Sequence, residues 1–137
     1  MTSKILCATD GTEHSAHAVE LAATMAARLG AKLSICAVNV GHGGSRGPLI
    51  YTWEDDQVKK VLDAAAAAAR KMGAKDVDEL ALRSREAASA IVHYAEEHGY
   101  DHIVVGTGDK RGVSRLVLGS VAADVASRAH CSVTVAR

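Results

Sequence analysis

Residues 106–120, reading GTGDKRGVSRLVLGS, carry the groups in this chain best suited to meet an anion. The segment leaves the apolar run Ile103-Val104-Val105 and enters Ser120-Val121-Ala122-Ala123-Asp124-Val125, which reads as a helix. Glycine where a strand ends and a helix begins lets backbone N–H groups crowd around an anion, and the helix N-terminus adds a favourable field. Lys110, Arg111 and Arg115 supply cations that can meet phosphate. Asp109 opposes them, because a carboxylate about 4 Å from a phosphate costs roughly 1–4 kcal/mol per unit of charge product. The chemistry implied is phosphate binding, with one acidic residue set against it.

The elements that must position this segment follow from the apolar pattern. Ile5-Leu6-Cys7-Ala8 reads as a buried strand ended by Thr9-Asp10-Gly11-Thr12. Over 14–29, Ala18, Ala22, Met25, Ala26 and Leu29 share one helical face, and Gly30 ends the helix. A second strand covers 33–38, followed by a glycine-rich loop over 41–53 in which Trp53 is expected to pack helix two against the sheet. Helix two spans 54–72 with Val58, Val61, Leu62, Ala65, Ala69 and Met72 as its stripe. A third strand over 77–82, a helix over 87–98, a fourth strand over 102–105, a helix over 121–129 and a fifth strand over 132–135 complete the pattern.

Five strands alternating with four helices predict a single α/β domain, with an open, mostly parallel sheet and helices on both faces. In such sheets a ligand sits at the carboxyl ends of the strands, near the point where strand order reverses. The segments after strands one, two and four should therefore converge, although they are far apart in sequence.

Composition limits the alternatives. Lys plus Arg and Asp plus Glu both number 16 in 137 residues, so no net charge draws the chain to nucleic acid or an anionic membrane. Aromatics are 3% with no Phe, which argues against base-stacking platforms. There is no apolar run of membrane-spanning length and no leader pattern, so a cytoplasmic protein is expected. Cys7, Cys36 and Cys131 lack metal-ligand spacing, and the first two read as small buried hydrophobes. Glu13 and His17 lie one turn apart, but no second histidine cluster has ligand spacing, so an exposed helix face is expected and no metal site.

With these segments in view the chain resembles the universal stress proteins over essentially its whole length. The resemblance rests on Lys4-Ile5-Leu6-Cys7-Ala8-Thr9-Asp10-Gly11-Thr12-Glu13, on Tyr94-Ala95-Glu96-Glu97 before Asp101, on Leu116-Val117-Leu118-Gly119-Ser120-Val121-Ala122, and on Cys131-Ser132-Val133-Thr134-Val135-Ala136-Arg137. Nucleotide-binding members of that family carry Gly, two residues, Gly, nine residues, then Gly-Ser or Gly-Thr. Gly106 and Gly119-Ser120 match its ends, while Asp109 takes the middle glycine position and a glycine stands one residue earlier, at Gly108.

The resemblance implies a Rossmann-like fold binding ATP or a related adenine nucleotide, and the hard carboxylate oxygens of Asp109 could help hold a Mg²⁺ ion that bridges to phosphate. It places Thr9 and Asp10 at the ribose or phosphate end, and Val38 against adenine. Gly106, Thr107, Gly108, Asp109, Arg115, Gly119, Ser120 and Val121 would form the cradle. Asp109→Gly is expected to tighten ATP binding, and unchanged affinity by calorimetry would place Asp109 outside the phosphate site.

Three function classes compete. A regulatory nucleotide-binding module is favoured, whose bound state a protein partner reads. The alternative is a dimeric protein-interaction module of the same family that binds no nucleotide. An enzyme is disfavoured, because no nucleophile–base pair is evident and any ATP hydrolysis would be incidental. The bland readings are that Gly106 and Gly108 merely close strand four and that Ser120 is merely a helix N-cap. The fifth strand, with alternating Val133 and Val135, is expected to form a sheet edge that pairs with a second copy into a homodimer.

Overall fold

The structure is a computed structural model that describes residues 2–107 and 118–137. Strand β1 (Lys4–Ala8) leads to α1 (Glu13–Leu29), β2 (Lys32–Gly43), β3 (Leu49–Tyr51) and α2 (Asp55–Lys71). Strand β4 (Val77–Ser84), α3 (Ala87–Glu97), β5 (His102–Gly106), α4 (Ser120–Arg128) and β6 (Ser132–Ala136) follow. Five parallel strands lie in the order β4-β2-β1-β5-β6. The expected α/β class with four helices and a largely parallel sheet is therefore what the chain adopts. Strand order reverses between β1 and β5, because the chain builds outward through β2 and β4 and then crosses back to the other side of β1.

Burial explains the central strands. Ile5, Leu6 and Cys7 of β1 and Ile103 and Val104 of β5 are wholly buried, which is why both read as unbroken apolar runs and not as alternating ones. One core layer joins the sheet to Ala18, Val19, Ala22 and Ala26 of α1 and to Val58, Leu62 and Ala69 of α2. The opposite layer joins it to Ala88, Ile91 and Val92 of α3 and Ala122 and Val125 of α4. Cys7 and Cys36 are buried in the sheet, and burial pushes both thiols well above their ordinary range, as befits small apolar fillers.

Local chemistry sets the helix ends. Thr12 caps α1 by accepting from the Ser15 N–H at 3.3 Å, and Gly30 closes the helix in the left-handed region at φ 65°. Glu54 and Gln57 form a capping box on α2, with the Glu54 N–H donating to Gln57 Oε1 at 2.8 Å. Leu29 and Met72, expected on the inward stripes, are instead 53% and 45% exposed at the C-terminal ends of α1 and α2. Among the described residues no helix is long and apolar enough to cross a membrane.

One expectation is overturned. Residues 41–53 were expected to be a glycine-rich loop after a strand ending at Val38. Instead β2 continues to Gly43 and folds back through β3, pairing antiparallel with Gly41 opposite Tyr51 and Gly43 opposite Leu49. Among the described residues the sheet thus has six strands in place of the expected five. The glycines that hid the hairpin help make its turn, Gly43 and Gly44 both having positive φ.

Candidate functional site

The carboxyl ends of β1, β2 and β5 meet the N-termini of α1, α3 and α4 around a cleft of about 430 Å³. It lies at the reversal of strand order, where an open α/β sheet leaves a crevice between diverging crossovers.

After β1 the chain makes a tight polar turn. Thr9 is buried, and its hydroxyl lies 3.0 Å from that of Ser15 while accepting from the Gly11 N–H at 3.3 Å. Asp10 Oδ1 accepts from the Thr12 N–H at 3.0 Å and the Thr12 hydroxyl at 2.6 Å, an Asx turn that feeds directly into the α1 cap. Partial burial pushes the Asp10 carboxyl up, but the Thr12 and Ser15 hydrogen bonds outweigh it and hold the group below the usual carboxylate range. Asp10 is thus a fixed anion at the cleft's edge.

After β5, Gly106 is where α1 crosses the strand. A Cβ there would lie 2.7 Å from the His14 carbonyl oxygen, so only glycine permits the crossing. Gly106 is therefore required by packing, a reason distinct from the strand-closing turn expected of it, since its φ is not positive. The Gly119 N–H donates to the Thr107 carbonyl at 2.7 Å and so draws the two ends of the glycine segment together.

Gly119, not Ser120, caps α4, since Ser120 is already helical and the Gly119 carbonyl accepts from Ala123 at 3.0 Å. The expected N-cap role of Ser120 is corrected by one residue. The N–H groups of Ser120, Val121 and Ala122 fall in the first turn, where a helix offers them no acceptor of its own, and all three residues line the cleft.

The third wall comes from β2 and the hairpin. Val38, Val40 and Trp53 line it, and Trp53 also packs against the core shared with α2. Asn39, 2% exposed, holds this wall in place. Its Nδ2 donates to the Trp53 carbonyl at 2.8 Å, and its Oδ1 accepts from the Trp53 N–H at 2.9 Å.

The structure thus brings Thr9, Asp10, Val38 and Gly106 together with Thr107, Gly119, Ser120 and Val121 around one cleft. Gly108, Asp109 and Arg115 lie outside the described residues. Sequence reasoning missed Asn39 and Ser15. A polar residue inside an apolar strand was the available signal for the first, and the Thr12-x-x-Ser15 spacing of a capped helix for the second. Among the described lining residues Asp10 is the sole carboxylate and none is Lys or Arg, so the field favouring an anion comes from the helix N-termini.

An open parallel sheet with its cleft at the strand reversal defines a Rossmann-like α/β protein. The universal stress protein family profile matches residues 1–137, and the chain belongs to that family. It is 31% identical to the universal stress protein YxiE of Bacillus subtilis over the full length of both. Its fold is similar to a universal stress protein solved in complex with cAMP, with a TM-score of 0.79 and 28% identity, covering 99% of this chain and 97% of that one. A universal stress protein of Archaeoglobus fulgidus solved with dAMP matches with a TM-score of 0.73 and 25% identity, covering 100% and 98%.

Proposed function

We propose that this protein is a regulatory module that binds an adenine nucleotide in the cleft at the strand reversal. The observation that carries the reading is the first turn of α4, where Ser120, Val121 and Ala122 line the same cleft as Asp10 and the apolar Val38, Val40 and Trp53. Val38, Val40 and Trp53 would take the base. Asp10, an acceptor held ionised, suits ribose hydroxyls and opposes phosphate, so the phosphate belongs at the α4 end. The described walls offer Mg²⁺ one carboxylate, so a divalent ion would arrive on the nucleotide's own phosphates. The cAMP and dAMP complexes of the two similar proteins support the same ligand class.

Binding without dedicated turnover fits the site. A carboxylate held below its usual range is a poor general base, and Asp10 is already occupied by Thr12. Saturable phosphate release faster than about 1 s⁻¹ would overturn that part of the reading.

Mass analysis of nucleotide released from gently purified protein, with calorimetry against ATP, AMP and cAMP, tests the binding. The Ser120→Glu variant should keep its fold, because a negative charge favours a helix N-terminus, yet lose nucleotide affinity by roughly tenfold or more. Absence of any adenine nucleotide binding by the parent protein would leave the interaction-module alternative. The proposal includes a homodimer paired through β6, whose Val133 and Val135 lie on a strand that bonds only to β5 among the described elements. A monomer mass by light scattering at micromolar concentration would sink it.

A further inference from the structure

The opposite edge of the sheet is formed by β4, which pairs only with β2 among the described strands. The Leu33 N–H donates to the Asp76 carbonyl at 2.9 Å, and Leu33 lies in register with Val77. By the alternation of a parallel ladder, even-numbered residues of β4 therefore turn their main-chain groups toward β2. Val77, Glu79, Ala81 and Arg83 turn theirs away from the sheet. Arg70 takes the Val77 carbonyl at 3.3 Å, while Glu79, Ala81 and Arg83 are exposed.

Edges are commonly blunted by charges of one sign, which repel a second copy. This edge carries both signs, four residues apart and centred on Ala81. Placed antiparallel to itself about Ala81, the strand sets Glu79 opposite Arg83 twice and Leu80 opposite Leu82 twice. A two-fold axis perpendicular to the sheet keeps each side chain on its own face. The charged pairs then fall on the α2 side, where Arg83 meets Asp55 at 2.6 Å, and the leucines on the α3 side, where both already pack on the core. Shifting the register to centre on Glu79 would instead place that carboxylate opposite itself.

We propose that β4 is a self-complementary interface, at which a second copy of this chain adds antiparallel about Ala81 and extends the sheet. The charge pattern is what selects a second copy over an unrelated strand. Two features leave the partners available. Arg83 is half exposed and, although its guanidinium lies 4.7 Å over the Tyr51 ring, it has in-plane donors beyond the one used on Asp55. Glu79 sits beside Asp63, and burial together with that neighbouring carboxyl raises its pKa, a conflict that a guanidinium across the interface relieves. A cleft of about 350 Å³ between α2 and this edge, lined by Lys59, Glu79, Ala81 and Arg83, would gain its missing wall from the second copy. The interface is independent of the nucleotide site and lies on the opposite edge from β6.

The test is Ala81→Cys in a Cys131→Ser background, where the two-fold brings residue 81 within disulfide reach of itself, about 5.5 Å between Cα atoms. Mild oxidation of the full chain should give a covalent dimer in preference to a Lys60→Cys control on the exposed face of α2. Adding Glu79→Arg or Arg83→Glu should each weaken crosslinking about tenfold by setting like charges opposite, and a 1:1 mixture of the two should restore it. Crosslinking no greater than the control, or a mixture no better than its components, overturns the proposal. Val135→Lys in β6 should leave the β4 crosslink unchanged, which separates this interface from the one proposed there.

Discussion

Gly106 shows how one residue ties the site to the fold. Its missing side chain lets the α1 backbone cross the end of β5, so Gly106→Ala must push His14 away or bend the strand. Overpacking of this kind costs about 1–3 kcal/mol, and a chemical denaturation midpoint should fall accordingly with or without nucleotide. An unchanged midpoint would mean that the crossing relaxes freely. The two ends of the glycine segment were legible as a strand end at Gly106 and a helix start at Gly119-Ser120, because strand-end glycine and a helix start have distinct chemistry. Which of Gly119 and Ser120 forms the cap was not, since both are accepted N-cap types and only the backbone dihedrals separate them.

At the scale of elements, helices were the most legible part. Their stripes repeat over many turns, and Thr12, Gly30 and Gly73 punctuate them. The β2–β3 hairpin was not legible, because Gly41, Gly43 and Gly44 interrupt any alternation that would mark strands. Its anchoring depends on Asn39, whose side chain bonds both main-chain groups of Trp53 as a neighbouring strand would. Asn39→Ala should therefore cost about 1–3 kcal/mol, since it leaves partly buried polar groups unpaired. It should also weaken nucleotide binding by loosening the wall that carries Trp53. Intact affinity in a destabilised variant would show that the wall is not part of the site. The chain's single tryptophan makes its own fluorescence a direct readout.

For the whole molecule, strand order came from a general rule about crossovers and not from any residue pattern. The sequence could place three segments at strand ends, but only the reversal between β1 and β5 brings them together. The same reversal leaves the chain's start to be tied to the entry of β5. Asp101 accepts from the Ser3 N–H and hydroxyl, both at 2.9 Å, and from the Lys4 N–H at 3.2 Å.

Burial alone would raise the Asp101 carboxyl, but these bonds lower it, as the Thr12 and Ser15 bonds lower Asp10. A carboxyl whose folded pKa is depressed stabilises fully above its unfolded value, about 3.9, and loses that contribution as pH falls through the folded value. Urea midpoints should therefore drop as pH falls below about 4, with a shallower decline in Asp10→Asn and Asp101→Asn. An unaltered acid limb in both variants would contradict the assignment of these bonds.

The crossing of α1 over Gly106 also bears on how relatives can be sorted from their sequences. A glycine demanded by packing persists whether or not a descendant still holds a ligand, so its presence carries little information about binding. Discrimination passes to positions that the scaffold leaves free to drift. Here Ser120 is such a position, since the α4 cap does not require it. A lineage that abandoned nucleotides would be expected to keep Gly106 and lose Ser120.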